Sequence, residues 1–174
     1  MKRIPAQWRK VVLAIAAVAF TVGFGAGVAW AQNPHFIDSK TRAVLQSDGD
    51  LAVSFKEAGL GDTATDYLLH ALASVTCTCV TKSGNCPNAA NKVTFTSDES
   101  TEGTFSPKNG TVSATLVITA PECPSSAPPT CGGGQTLDLS AIAYTNISLT
   151  DTTHSVTAGA LPASVGPVTF FNCP

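Results

Sequence analysis

Tyr67-Leu68-Leu69-His70-Ala71-Leu72-Ala73-Ser74-Val75-Thr76-Cys77-Thr78-Cys79 is the stretch that decides the fold. Its odd positions hold Tyr, Leu, Ala, Ala, Val, Cys and Cys, and its even positions include His70, Ser74, Thr76 and Thr78. Successive side chains of a strand point to opposite faces, so a period of two describes a long strand with one wet face. A helix is arguable from Ala64 to Leu72, but β-branched Val75 and Thr76 and the C-x-C alternation favour a strand beyond it.

The same period recurs on both sides. Ala43 and Leu45 alternate with polar neighbours and run into Asp48-Gly49-Asp50, after which Leu51, Val53 and Phe55 alternate with Ala52, Ser54 and Lys56. That is a hairpin with a Gly-containing turn, closed by Glu57-Ala58-Gly59-Leu60-Gly61. Downstream, Lys82 to Asn91 reads as a loop, and Val93 and Phe95 restart a strand. Pro107-Lys108-Asn109-Gly110 predicts another hairpin turn, between Thr104 to Ser106 and Thr111 to Thr119. Glu122 to Gln135 is a loop rich in proline and glycine. Leu137 to Leu149 keeps its apolar residues in odd phase, with a bend expected at Tyr144-Thr145-Asn146, and Val165 to Phe171 is a last strand. About seven to nine short strands and no convincing long helix predict an all-β fold. The expected form is an antiparallel two-sheet, immunoglobulin-like sandwich, with a small barrel as the alternative.

The N-terminus reads differently. Lys2, Arg3, Arg9 and Lys10 precede an uncharged apolar run from Val11 to Trp30, and Ala29-Trp30-Ala31 matches a signal-peptidase site. Residues 1–31 are therefore expected to form an apolar signal helix cleaved between Ala31 and Gln32, leaving residues 32–174 as one domain. The alternative is an uncleaved membrane anchor through residues 11–30, since a helix of that length spans the roughly 30 Å hydrocarbon layer at about 1.5 Å per residue. Gly23 and Gly27 add a GxxxG pair. Both readings place the domain outside the cytoplasm, secreted or held at the cell surface.

Cysteine usage agrees. Cys77, Cys79, Cys86, Cys123, Cys131 and Cys173 all follow the signal, and an even number in an exported chain predicts a disulfide framework. The spacing lacks the paired C-x2-C of zinc sites. Cys77 and Cys79 lie two apart on one strand with parallel Cβ vectors, which excludes their pairing. The expected bridges are Cys79–Cys86, closing a short loop, and Cys123–Cys131, closing the Pro-rich loop. Cys77–Cys173 follows by elimination.

Beyond residue 31 there remain six basic residues against twelve acidic, a formal charge of −6. That balance argues against nucleic acid and against anionic membranes as partners. Both tryptophans and the single methionine lie in the signal.

Four segments carry a resemblance: Ser54-Phe55-Lys56-Glu57-Ala58-Gly59-Leu60-Gly61, Asn85-Cys86-Pro87-Asn88-Ala89-Ala90-Asn91-Lys92, Tyr144-Thr145-Asn146 with Leu149-Thr150-Asp151-Thr152-Thr153, and Thr169-Phe170-Phe171. In these the chain resembles a group of small secreted microbial proteins without an assigned activity. The resemblance implies a single extracellular β domain and transfers no catalytic residue.

No residue pattern points to catalysis. G-x-S-x-G and H-E-x-x-H are absent, and His35, His70 and His154 are expected to be solvated surface residues. Paired carboxylates for glycoside hydrolysis lack a tryptophan platform, and the acids sit mainly in turns. Asp48 and Asp50 with Asp62 or Asp66 are a candidate calcium set, but the stretch fails the EF-hand pattern and an ordinary turn is expected. Thr and Ser on polar strand faces suit a flat recognition face or, more simply, solvent. Asn109-Gly110-Thr111 and Asn146-Ile147-Ser148 match the N-glycosylation pattern, which matters only in a eukaryotic host. The expectation is a non-enzymatic binding or envelope module with no cofactor and no metal, whose partner is an extracellular protein or glycan. The alternative is a small secreted hydrolase with an unrecognised site.

Overall fold

The computed structural model describes residues 33–86, 91–124 and 129–171. The expected signal or anchor, its cleavage point at Ala31 and Gln32, and Cys173 lie outside the described residues. Asn33–Pro174 form one compact unit. Among the described residues no helix is long and apolar enough to cross a membrane.

The chain is all-β. Its strands are β1 (His35–Phe36), β2 (Arg42–Leu45), β3 (Leu51–Ala58), β4 (Thr65–Thr81), β5 (Lys92–Phe105), β6 (Thr111–Ile118), β7 (Gln135–Asp151), β8 (Val156–Thr157) and β9 (Ser164–Thr169), with a 3-10 turn at Asp38–Lys40. They form two open antiparallel sheets. In the first, β3 is central, with β6 along one edge and β1 and β2 sharing the other. In the second the order is β5-β4-β7, and β8 and β9 share the outer edge of β7.

Alternation sets what each sheet buries. Leu51, Val53 and Phe55 of β3 face Tyr67, Leu69, Ala71, Ala73 and Val75 of β4 in one core, joined by Val112, Leu116 and Ile118 of β6. Phe55 and Tyr67 meet in a tilted pair with ring centroids 4.7 Å apart, and Phe36 and Phe105 pack against the same two rings. The hairpin around Gly49 forms as expected, with Leu45 opposite Leu51. The stretch from Ala64 to Leu72 contributes to a strand, not a helix.

Three expectations change. The turn at 107–110 is present, with Asn109 and Gly110 both in the left-handed region at φ 52° and 68°. It closes no hairpin within a sheet, because β5 belongs to the second sheet and β6 to the first. Next, β5 is continuous: Thr96 to Gly103, too polar to register as a strand, pairs residue by residue with β4. Last, β7 changes phase. Register shifts opposite His70/Leu72 and Thr76/Cys77 turn Ser140, Ile142 and Tyr144 into the core, between odd-phase Leu137 and Leu139 on one side and Ile147 and Leu149 on the other. One shift coincides with Asn146 at φ 52°, a β-bulge at the expected bend.

The disulfides also differ. Cys77 pairs with Cys123 and Cys79 with Cys131, so the local bridges Cys79–Cys86 and Cys123–Cys131 do not form, nor does Cys77–Cys173. The reason is the unequal length of the sheets. At about 3.3 Å per residue, β4 runs roughly 55 Å and β3 only about 26 Å. The far end of β4 therefore projects beyond the first sheet, and its inward face carries Cys77 and Cys79, both fully buried. Residues 119–123, leaving β6, run beside Leu137 and Leu139 and bring Cys123 to that face, and Cys131 reaches it just before β7. Cys86 lies beyond the strand end and is disulfide-bonded.

Candidate functional site

Two groupings of polar side chains stand out. The first is inside. Glu57 continues the inward phase of β3 and is fully buried, as are Asp151 of β7 and, but for 1%, Tyr67 of β4. Asp151 and Tyr67 are register partners. Asp151 accepts hydrogen bonds from the backbone N–H of His154 at 2.9 Å and contacts its Nδ1 at 2.6 Å. Tyr67 and Asp151 lie close enough to act on Glu57, yet no contact of either Glu57 carboxylate oxygen or of the Tyr67 hydroxyl has the geometry of a hydrogen bond.

Burial is the main force on Glu57 and pushes its pKa up to about 7; the Tyr67 hydroxyl pulls the other way and the Asp151 charge adds to the rise. Burial, then Glu57, raises Tyr67, which stays a phenol. Glu57, Asp151 and Tyr67 are buried, and His154 is the member of the group that reaches solvent. The hydroxyls beside His154 are occupied: Thr152 Oγ1 donates to the Asp66 carbonyl at 3.1 Å and Thr153 Oγ1 accepts from the Asp66 N–H at 2.9 Å. Among the described residues no Ser or Thr hydroxyl is bonded to a histidine, the pairing that nucleophile activation requires.

The histidines part company. His35 is exposed, with Nδ1 2.8 Å from the Asn33 carbonyl, and His70 lies on the outer face of β4, 2.7 Å from Asp98. His154 is only 22% exposed and is held by Asp151, unlike the solvated residue expected. The candidate calcium set is not assembled. Asp48 and Asp50 cap the β2–β3 turn, where Asp50 accepts from the Ala120 N–H at 2.9 Å. Asp66 lies at the opposite end of the sandwich, bonded to Thr104 at 2.6 Å.

The second grouping is the outer face of the first sheet. Its rows follow from register: Val44, Ala52 and Val117; then Arg42, Ser54 and Thr115; then Lys56 and Ser113; then His35, Ala58 and Thr111. Ser54 and Thr115 hydroxyls are 2.9 Å apart. Every outward position of these strands is basic, hydroxyl or small and aliphatic, and none is acidic. Lys40 joins from the 3-10 turn, where Asp38 is exposed but makes no ion pair with it. Among the described residues, Lys40, Arg42, Lys56 and Lys108 have no carboxylate partner.

Two shallow hollows lie on this face. One is lined by Lys40, Ser54, Lys56 and Ser113; the other, at the β6 edge, by Lys56, Lys108, Thr111 and Ser113 together with Phe105 of β5 and inward-facing Val112. Shared walls at Lys56 and Ser113 make them one trough. Sequence reasoning missed it by averaging charge over the chain; strand parity places Ser54 and Lys56 on one face, and the β2–β3 pairing adds Arg42. No known family model matches the chain, and a search of curated proteins finds no match.

Proposed function

We propose that this chain is an extracellular, non-enzymatic module, secreted or held at the cell surface, that acts by binding or as part of the envelope. Its domain is read as immunoglobulin-like, a finer assignment that rests on two open antiparallel sheets enclosing one core. Two disulfides between distant segments suit an oxidising compartment.

The observation that carries the reading is the outer face of the first sheet. Among the described residues its cations form no ion pair, so no salt bridge accounts for their gathering on one face of an acidic chain. Such a face suits recognition of something outside the molecule. The test is export of the full chain followed by binding of the recovered protein to immobilised envelope polymers. Retention that is lost on Lys56→Glu is expected. Turnover of an ester or glycoside that is lost on His154→Ala would overturn the reading in favour of a hydrolase.

A further inference from the structure

We propose that the trough across the first sheet binds an extended anionic glycan, a sugar polymer carrying carboxylate, sulfate or phosphate groups. This rests on the binding-module reading and names its ligand. Arg42 lies on β2, Lys56 on β3 one row further, and Lys108 beyond the start of β6, so the cations descend the sheet along a diagonal. Neighbouring strands are about 4.8 Å apart and same-face residues about 6.7 Å apart, so the step from Arg42 to Lys56 is roughly 8 Å, and that from Lys56 to Lys108, which pairs with Thr111 on the side of β6 away from β3, is roughly 12 Å. Ser54 and Ser113 fill the positions between, as hydroxyl donors for anionic or sugar oxygens.

The spacing decides between a single anion and a polymer. The Debye length at physiological salt is also about 8 Å, so these cations act almost independently on small solutes. One exposed ion pair is weak. A ligand with several charges along its length engages them in series, and each contact after the first is intramolecular. The face also discriminates among polymers. Its strands carry no outward Phe, Tyr or Trp; the rings near it are His35 in the last row and part-buried Phe105 in the wall of the second hollow, so most of the face offers neither a sugar ring nor a nucleic-acid base a stacking platform. Its only exposed large apolar residues are Val44 and Val117, 49% and 40% exposed, together in the row furthest from Lys108. Two strands of eight residues, with β1 and β2 sharing the third position of the sheet, present at most roughly 400 Å², about half of what one partner contributes to an ordinary protein–protein interface. A slender chain fits that area better than a globular protein.

The experiment compares the protein recovered after expression of the full chain with its Lys56→Glu and Lys82→Glu variants. The two carry the same charge change, but Lys82 lies in the turn after β4, away from the trough. Probes are heparin, polygalacturonate, polyphosphate, neutral dextran, duplex DNA and anionic lipid vesicles. Binding to heparin or polygalacturonate is expected, falling steeply with salt and weakened about tenfold or more by Lys56→Glu, with Lys82→Glu within about twofold of the parent. Circular dichroism confirms that the variant is folded; if it is not, Lys40→Ala combined with Lys108→Ala replaces it. Equal weakening by Lys56→Glu and Lys82→Glu would overturn the proposal, because overall charge alone would explain it. Tighter binding to DNA or vesicles than to either glycan would overturn it as well. Binding to dextran alone, unaffected by Lys56→Glu, would remove the anionic ligand yet leave the module reading standing. Tight binding to polyphosphate but to neither glycan would show that the trough reads phosphate and not a sugar chain, and would overturn the glycan assignment.

Discussion

The Tyr144 hydroxyl donates a hydrogen bond to the Gly49 carbonyl at 3.1 Å, joining the middle of β7 to the β2–β3 turn and so one sheet to the other. Both residues are buried. Tyr144→Phe keeps the ring and strands the carbonyl, which should lower unfolding free energy by about 1–2 kcal/mol. Gly49→Ala should cost more than about 1 kcal/mol, because φ is 94° and a Cβ there would sit 3.0 Å from Phe170 Cζ. Urea unfolding of the two variants measures both.

Glu57 makes stability depend on pH in a defined direction. Its folded pKa, about 7, lies above the ordinary glutamate value of 4.5, so the folded state binds the proton more tightly than the unfolded chain. Stability should therefore fall as pH rises from about 4.5 to about 7 and stay low above that. The difference corresponds to roughly 3 kcal/mol. Glu57→Gln should abolish that slope, being markedly more stable than the parent at pH 8 and close to it at pH 4. Denaturant midpoints at the two pH values decide the matter; a variant less stable than the parent at pH 8 would show that the buried charge is satisfied.

The His70–Asp98 contact should matter little. It lies on the outer face, with side chains 34% and 71% exposed. His70→Ala should change stability by no more than about 0.5 kcal/mol at any pH, and thermal melts suffice to test this.

Legibility followed the strength of alternation. β3 and β4 could be read in place because each holds one phase over its inward positions. β5 could not, because Ser97, Glu99 and Thr101 occupy its inward positions, as suits an edge strand that must resist pairing with other chains. In β7 two bulges reverse the phase twice, and the alanines at 141 and 143 prolong a false odd phase past them. Glu57 was visible as an acid in line with Leu51, Val53 and Phe55, but being buried without a hydrogen bond depends on the opposing sheet. The bridges were illegible for a different reason. Pairing depends on which segment crosses the projecting face of β4, and local loop length does not report that. The trough needs only strand parity and the order of the first sheet.

Removing one staple tests its share. Cys79→Ala with Cys131→Ala should lower unfolding free energy by about 2–4 kcal/mol, through release of the segment leaving β6.

The most direct test of an exported, disulfide-bolted sandwich is a non-reducing peptide map of the protein recovered outside the cytoplasm. Peptides joining Cys77 to Cys123 and Cys79 to Cys131 are expected. Cys86 should appear with Cys173, the cysteine left once those four are assigned. Recovery of Cys79 joined to Cys86, or of six free thiols, would contradict the account.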